Sequence, residues 1–250
     1  MNEYTRNIER IEFIVTMGCT GRCRHCSEGD HKFSGEHIDG ILAARAVEEV
    51  CRHYRIKSLM TFGGEPLLYP EDVFRIHEAA KRAGIPKREV ITNGFFSRDK
   101  RRIEETAEML AASGVNRIML SVDAFHQETI PIEYVEAFAE SVKKTGVLLE
   151  LHPAWLVSRE ADNPYNAATQ TLLEHFSAKG YEVSEGNIIF PKGNALKFLG
   201  EYFDSAQAVS DPYEDDPRDI RALCFEPDGS VLNGNVYNTP VADIINSYRP

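Results

Sequence analysis

Apolar and polar positions along this chain follow a recurring order. A short apolar run is followed by a polar turn, then by a longer segment with apolar residues three and four apart. The first run, Ile8–Val15 (IERIEFIV), reads as a strand. Between Glu36 and Tyr54, residues Ile38, Ile41, Leu42, Val47 and Val50 fall on or near one helical face. Cys51 lies among them and reads as a small buried hydrophobe. Further strands are expected at Lys57–Phe62, Glu89–Thr92, Val115–Val122 and Val147–Leu151, with a sixth inside Glu182–Phe190. Helices are expected at Glu71–Ala83, from a cap at Ser97 to Ala112, at Ile132–Lys144 and at Asn166–Ala178. Six strand–helix units in about 190 residues imply a parallel sheet with helices outside it, and six are too few to close an eight-fold barrel.

Composition adds limits. The chain has 250 residues, 42% hydrophobic and 27% charged, as expected for a globular protein. A net charge of −11 argues against a general nucleic-acid partner. No run of eighteen apolar residues occurs, and the charged start (Glu3, Arg6, Glu9, Arg10) does not resemble a signal peptide, so no membrane association is expected. Five cysteines, an odd number, point to a reducing cytoplasm.

Three of the five cysteines, Cys19, Cys23 and Cys26, stand in the loop after the first strand at C-x3-C-x2-C spacing. Gly18, Thr20 and Gly21 favour a loop that can wrap an ion or a cluster. Tightly spaced thiolates read as ligands for a soft metal, and three of them leave one coordination position of a four-ligand site open. His25 or a remote side chain as a fourth ligand would instead make a zinc site.

Parallel α/β proteins carry their chemistry just after strands. Here the second strand is followed by Gly63-Gly64-Glu65-Pro66, the third by Thr92-Asn93-Gly94, and the fourth by Ser121-Val122-Asp123-Ala124-Phe125-His126-Gln127. His152 follows the fifth, with Trp155 read as packing, and Pro191-Lys192-Gly193-Asn194-Ala195 follows the sixth. Asp123 beside His126 could pass protons, or Asp123 could serve as a helix cap.

The C-x3-C-x2-C loop with GGEP at the next strand end strongly resembles the radical S-adenosylmethionine (SAM) superfamily. That resemblance implies an open, partial TIM barrel of (β/α)6 type. It implies a [4Fe–4S] cluster on Cys19, Cys23 and Cys26, whose open iron chelates SAM. Reductive cleavage of SAM would then give a 5′-deoxyadenosyl radical that takes hydrogen from a substrate. Gly63, Gly64, Glu65 and Pro66 are expected at the SAM amino group, and Thr92, Asn93 and Ser121 at other parts of SAM. His25 stands where the family usually has an aromatic residue. Asp123 and His126 are expected at the chemistry, and Gln127, His152 and Asn194 at the substrate.

Residues 1–200 are read as the barrel and 201–250 as an extension, with Asp211–Asp219 (DPYEDDPRD) a surface connection. Leu223–Leu232 reads as a hairpin turning at Pro227-Asp228-Gly229, followed by a helix from Val241. This tail resembles the start of the SPASM/twitch extension, but with Cys224 alone no auxiliary cluster is expected. The expected substrate is a small molecule or a peptide, with a lean toward a peptide or amino-acid-derived one. A flavodoxin or ferredoxin is expected as electron donor, docking at Arg98, Lys100, Arg101 and Arg102 or at Arg22 and Arg24. A glycyl-radical-enzyme activase, a non-catalytic iron–sulfur or zinc protein and an inactive relative are the alternatives.

Overall fold

A computed structural model describes residues 2–29, 35–203 and 215–250. Strand β1 (Arg10–Ile14) leads through the cysteine loop to α1 (Gly40–His53), β2 (Ser58–Phe62) to α2 (Pro70–Arg82), and β3 (Lys87–Thr92) to α3 (Lys100–Ser113). Then β4 (Arg117–Leu120) leads to α4 (Ala124–Gln127) and α5 (Ile132–Thr145). After β5 (Leu148–Leu151) and β6 (Ala154–Leu156) comes α6 (Pro164–Ser177). The chain continues through β7 (Glu182–Val183), β8 (Asn187–Ile189), α7 (Gly193–Leu199), β9 (Ala222–Phe225), β10 (Ser230–Val231), β11 (Gly234–Asn235) and α8 (Val241–Ser247).

Seven strands form one parallel sheet in the order β7-β5-β4-β3-β2-β1-β9, and among the described residues its two ends are not joined. This is an open, partial barrel. Ile11, Phe13, Leu59, Val90 and Ile118 are fully buried and belong to one core with Val47, Val50, Ile76, Leu110 and Phe138 of the helices. Alternate residues form the sheet's other face, where Cys224, Glu12, Met60, Glu89 and Arg117 stand in one row. No helix of the described residues is long and apolar enough to cross a membrane.

Several elements differ from the sequence expectation. Helix α1 starts at Gly40, because the Asp39 carboxylate caps it, accepting from the Ile41 and Leu42 N–H groups at 2.8 and 3.0 Å. His37, placed in that helix by pattern, instead bridges back to Thr16. Asp99 rather than Ser97 caps α3. The sixth strand is two pieces: β7 pairs with β5, whereas β8 pairs with β6 in a separate two-stranded sheet. Between them Gly186 has φ +75°, and a Cβ there would lie 2.2 Å from the Pro153 carbonyl oxygen.

The chain does turn at the expected Pro227-Asp228-Gly229, the Glu226 N–H donating to the Ser230 carbonyl at 2.9 Å, but the strands on either side pair elsewhere. β9 pairs in parallel with β1, stacking Phe225 on Phe13 at 4.6 Å, and the antiparallel partner of β10 is β11. Burial of Leu223 and Phe225 beside Ile11 and Phe13 favours the sheet over an isolated hairpin. Part of the expected acidic connection, residues 211–214, lies outside the described residues.

Candidate active site

The cysteine loop leaves β1 at the carboxyl end of the sheet and rests on the loop that leaves β2. The Gly64 N–H donates to the Thr16 carbonyl at 2.7 Å and the Glu65 N–H to that of Gly18 at 2.8 Å. A Cβ on Gly64 would lie 2.2 Å from the Gly18 oxygen, and one on Gly63, at φ +138°, 2.5 Å from the Thr16 oxygen. The two glycines are therefore required by the chain's own backbone, which lies flat against them. Pro66 opens a short 3-10 turn capped by the Glu65 side chain.

Within the loop, the Cys19 and Cys23 sulfurs converge on Gly21, whose Cβ position is 3.7 and 3.2 Å from them. Burial, with Glu65 nearby, pushes the Cys19 thiol up to about 11. Burial also raises Cys23, helped by Asp123, Cys19 and Cys26, and it raises Cys26. Thiols raised in this way need a metal's positive charge to ionise. This donor set suits a cluster held by Cys19, Cys23 and Cys26.

Glu65 is fully buried and joins the second strand end to the third. Its carboxyl accepts from the Thr92 hydroxyl at 2.7 Å, the Asn93 N–H at 2.9 Å and the Leu67 N–H at 2.9 Å. Burial outweighs these bonds and pushes Glu65 up to about 7. Asn93 in turn reaches the cysteine loop, donating to Thr20 Oγ1 at 3.2 Å and toward Cys19 Sγ at 3.6 Å. Ser121 is buried beside them, its N–H donating to the Thr92 carbonyl at 2.9 Å.

Asp123, also fully buried, joins the fourth strand end to the fifth. It accepts from the N–H groups of Phe125 and His126 at 3.0 Å each, from that of Ala154 at 3.1 Å, and from His126 Nδ1 at 2.7 Å. Burial alone would raise its pKa, but the His126 ring, His25 and the backbone donors hold it well below the carboxylate range. Asp123 thus caps α4 and pairs with the His126 imidazole at once. His126 stands edge-on to His25 with ring centroids 4.8 Å apart. His25 is pushed down to about 4 by burial and by His126, and its buried Nδ1 has no hydrogen-bond partner among the described residues. Gln127 Oε1 accepts from the Asp123 N–H at 2.9 Å, while its buried Nε2 has no partner among the described residues.

The other expected residues divide. His152, lowered by burial, pairs through Nδ1 with Ser184 Oγ at 2.9 Å. Trp155 is buried and donates to the Glu185 carbonyl at 2.9 Å. Asn194 is buried against the cysteine loop: its N–H donates to the Cys26 carbonyl at 2.9 Å and its Nδ2 to that of Cys23 at 3.4 Å. Gly193 supports this grip, since a Cβ there would lie 2.2 Å from the Ser27 oxygen. Sequence reasoning missed this contact, although the Gly193-Asn194 pair after a strand was its available signal. It also missed the brace formed by Arg24, which pairs through both arms with Glu128 and reaches the Tyr165 hydroxyl at 2.9 Å. Arg22 is turned back onto the Cys19 and Gly21 carbonyls at 2.9 and 2.8 Å.

A family model described as the Radical SAM superfamily matches residues 13–147, more than half of the chain. A protein named probable GTP 3′,8-cyclase from Methanocaldococcus jannaschii is 29% identical over 133 residues, covering 51% of this chain and 40% of that protein. The GTP 3′,8-cyclase of Desulforamulus reducens is 27% identical over 162 residues, covering 62% and 48%. The chain thus spans less than half the length of these two relatives. Among solved structures, native anSMEcpe with bound AdoMet superposes with a TM-score of 0.61 at 15% identity, covering 96% of this chain and 81% of that one. Streptococcus suis SuiB bound to precursor peptide SuiA gives 0.57 at 12% identity, covering 97% and 68%. At these identities the likeness is one of fold.

Proposed function

The chain belongs to the radical SAM superfamily, and from that premise we propose that it is an enzyme abstracting hydrogen from a peptide or amino-acid-derived substrate. The observation that carries the reading is the convergence of the cysteine loop, the Gly63-Gly64 loop and Asn93 at one rim of an open parallel barrel. Cys19, Cys23 and Cys26 would hold a [4Fe–4S] cluster, with SAM bound beside it against Gly63–Pro66, Thr92, Asn93, Ser121 and His25. Together these cofactors supply reductive cleavage of a sulfonium bond and a primary carbon radical.

The chain's own residues do the rest. The Glu65 bonds fix the second and third strand ends as one surface, with Asn93 turned toward Cys19. Asp123 holds a proton at His126 Nδ1 and orients that ring at the fourth strand end. The Gln127 Nε2, without a partner among the described residues, and the half-buried His152 are the groups offered to substrate. The peptide lean is supported by the fold likeness to SuiB, which extends over 97% of this chain. A nucleotide substrate is the second reading, favoured by the names of the sequence relatives.

The test is anaerobic purification, reconstitution with iron and sulfide, reduction, and detection of 5′-deoxyadenosine after adding SAM. Product from the wild type and none from the Cys19→Ala/Cys23→Ala/Cys26→Ala variant is expected. A protein that assembles no cluster, or cleaves no SAM with peptides or GTP supplied, overturns the reading.

A reducing cytoplasm and an acidic flavodoxin- or ferredoxin-type donor belong to the same proposal. Arg22 and Arg24 are engaged within the rim, so the docking face is assigned to exposed Arg98, Lys100, Arg101 and Arg102. Neutralising those four should slow reduction by a protein donor and leave dithionite reduction unchanged; equal rates with both reductants would remove that face from consideration.

A further inference from the structure

We propose that Cys23, His25 and His126 form a second metal site, for a borderline divalent cation such as zinc, whose occupancy excludes the cluster. One ligand atom from each of the three lies within 4.8 Å of the others. Tetrahedral zinc with one sulfur at about 2.3 Å and nitrogens at about 2.0 Å places its ligands roughly 3.5 Å apart. The three atoms thus stand at most about 1–1.5 Å farther apart than one bound ion would hold them. One cysteine with two histidines is a donor set of zinc character, and three protein ligands leave a fourth position for water.

Two further observations point to a ligand. Among the described residues the buried His25 Nδ1 has no hydrogen-bond partner, and buried polar atoms without partners are rare enough to need a reason. His126 gives its Nδ1 proton to Asp123 at 2.7 Å, which leaves Nε2 as its free donor atom. A carboxylate behind a histidine is the arrangement that orients metal-binding imidazoles and raises their basicity. Asp123 is itself fixed by three backbone N–H groups, so the orienting group does not move. The apolar side is closed by Phe125, whose ring is 5.1 Å from His25, with Tyr165 stacked behind it at 4.8 Å.

The consequence is competition. Cys23 cannot serve both metals, so a chain that takes zinc first loses one cluster ligand and has His25 and His126 withdrawn from the rim. Cluster assembly on Cys19, Cys23 and Cys26 releases both rings. The zinc site does not rest on the radical reading, because it uses two residues that the cluster does not.

The decisive measurement needs no variant. The full chain is stripped of iron under anaerobic conditions, loaded with one equivalent of zinc and examined by X-ray absorption. A shell of one sulfur and two nitrogens is expected; a shell of three sulfurs, or no binding at one equivalent, overturns the proposal.

Competition titration then maps the ligands. His126→Gln should weaken zinc binding at least tenfold and Asp123→Asn by 10- to 100-fold, whereas Cys19→Ser and Cys26→Ser should stay within twofold of wild type. The reverse pattern assigns the metal to the cysteine loop alone and overturns the site. Finally, zinc-loaded protein should fail to develop the electron paramagnetic signal of a reduced [4Fe–4S] cluster until a chelator is added. A cluster that forms with zinc still bound would refute the exclusion. Absence of that signal in zinc-free protein would instead count against the cluster, which keeps the two failures apart.

Discussion

Two strand ends of this barrel use the same device with opposite electrostatics. At the β2–β3 rim, buried Glu65 links its own loop to Thr92 and Asn93; at the β4–β5 rim, buried Asp123 links its own loop to Ala154. Glu65 accepts only from neutral donors, so loss of water dominates and its pKa rises to about 7. Asp123 also accepts from an imidazole, which outweighs the same loss and keeps the carboxylate ionised. The lesson is that burial does not fix a carboxylate's charge; the partner does. One rim is built to stand close to neutral, and the other carries a fixed anion with an imidazole in front of it.

Removing the fixed anion should have the largest effect. Asp123→Ala strips partners from three backbone N–H groups and from His126 Nδ1, and should cost about 3–5 kcal/mol in urea unfolding. A loss below about 1 kcal/mol would show that the β4–β5 rim is held by something other than this carboxylate.

Next comes the pH response of the other rim. Glu65 holds its proton more tightly folded than unfolded, so its contribution is complete below pH 4.5 and declines as pH rises toward about 7. Stability of the cluster-free protein should fall by up to about 3 kcal/mol across that window, and Glu65→Gln should flatten the profile. Asp123, shifted the other way, contributes nothing to that window, and its stabilisation is lost only as pH drops below its unfolded value of 3.8. If Asp123→Asn flattened the profile and Glu65→Gln did not, the contrast would be reversed.

The smallest effect is expected at the solvent edge of the β4–β5 rim. Arg24→Met removes a part-exposed ion pair with Glu128 and should cost at most about 1 kcal/mol. A larger loss would mean that the contact with Tyr165, 5.1 Å from the guanidinium to the ring, carries the brace.

The sequence made one side of the site more readable than the other. Cys19, Cys23, Cys26 and Gly63–Pro66 declare themselves because cysteine and glycine are chosen for chemistry and backbone access, and both sit at strand ends where parallel sheets put function. Even so, the reason for Gly63 and Gly64 was visible only in three dimensions, as the oxygens of Thr16 and Gly18 filling the space of their missing side chains. Asp123 and His126 were readable as a pair because they lie three residues apart. Ala154 was not, since its contact runs through its backbone N–H across 31 residues; Asn194 could be singled out after its strand, but not its grip on Cys23, 171 residues away. The same limit explains β9: its apolar alternation fits a hairpin or a sheet, and only the unfilled side of β1 decides.

That last pairing has a consequence for biogenesis. β1 acquires one neighbour when Ser58–Phe62 emerges and the other only when Ala222–Phe225 does. Chains grow from the amino end, so the strand that delivers Cys19 has one edge bare until Ala222–Phe225 is made. Asn2 extends the delay, its side chain donating to the carbonyls of Ile245 and Tyr248. The cysteine loop is therefore made before the segment that finishes the support of its strand.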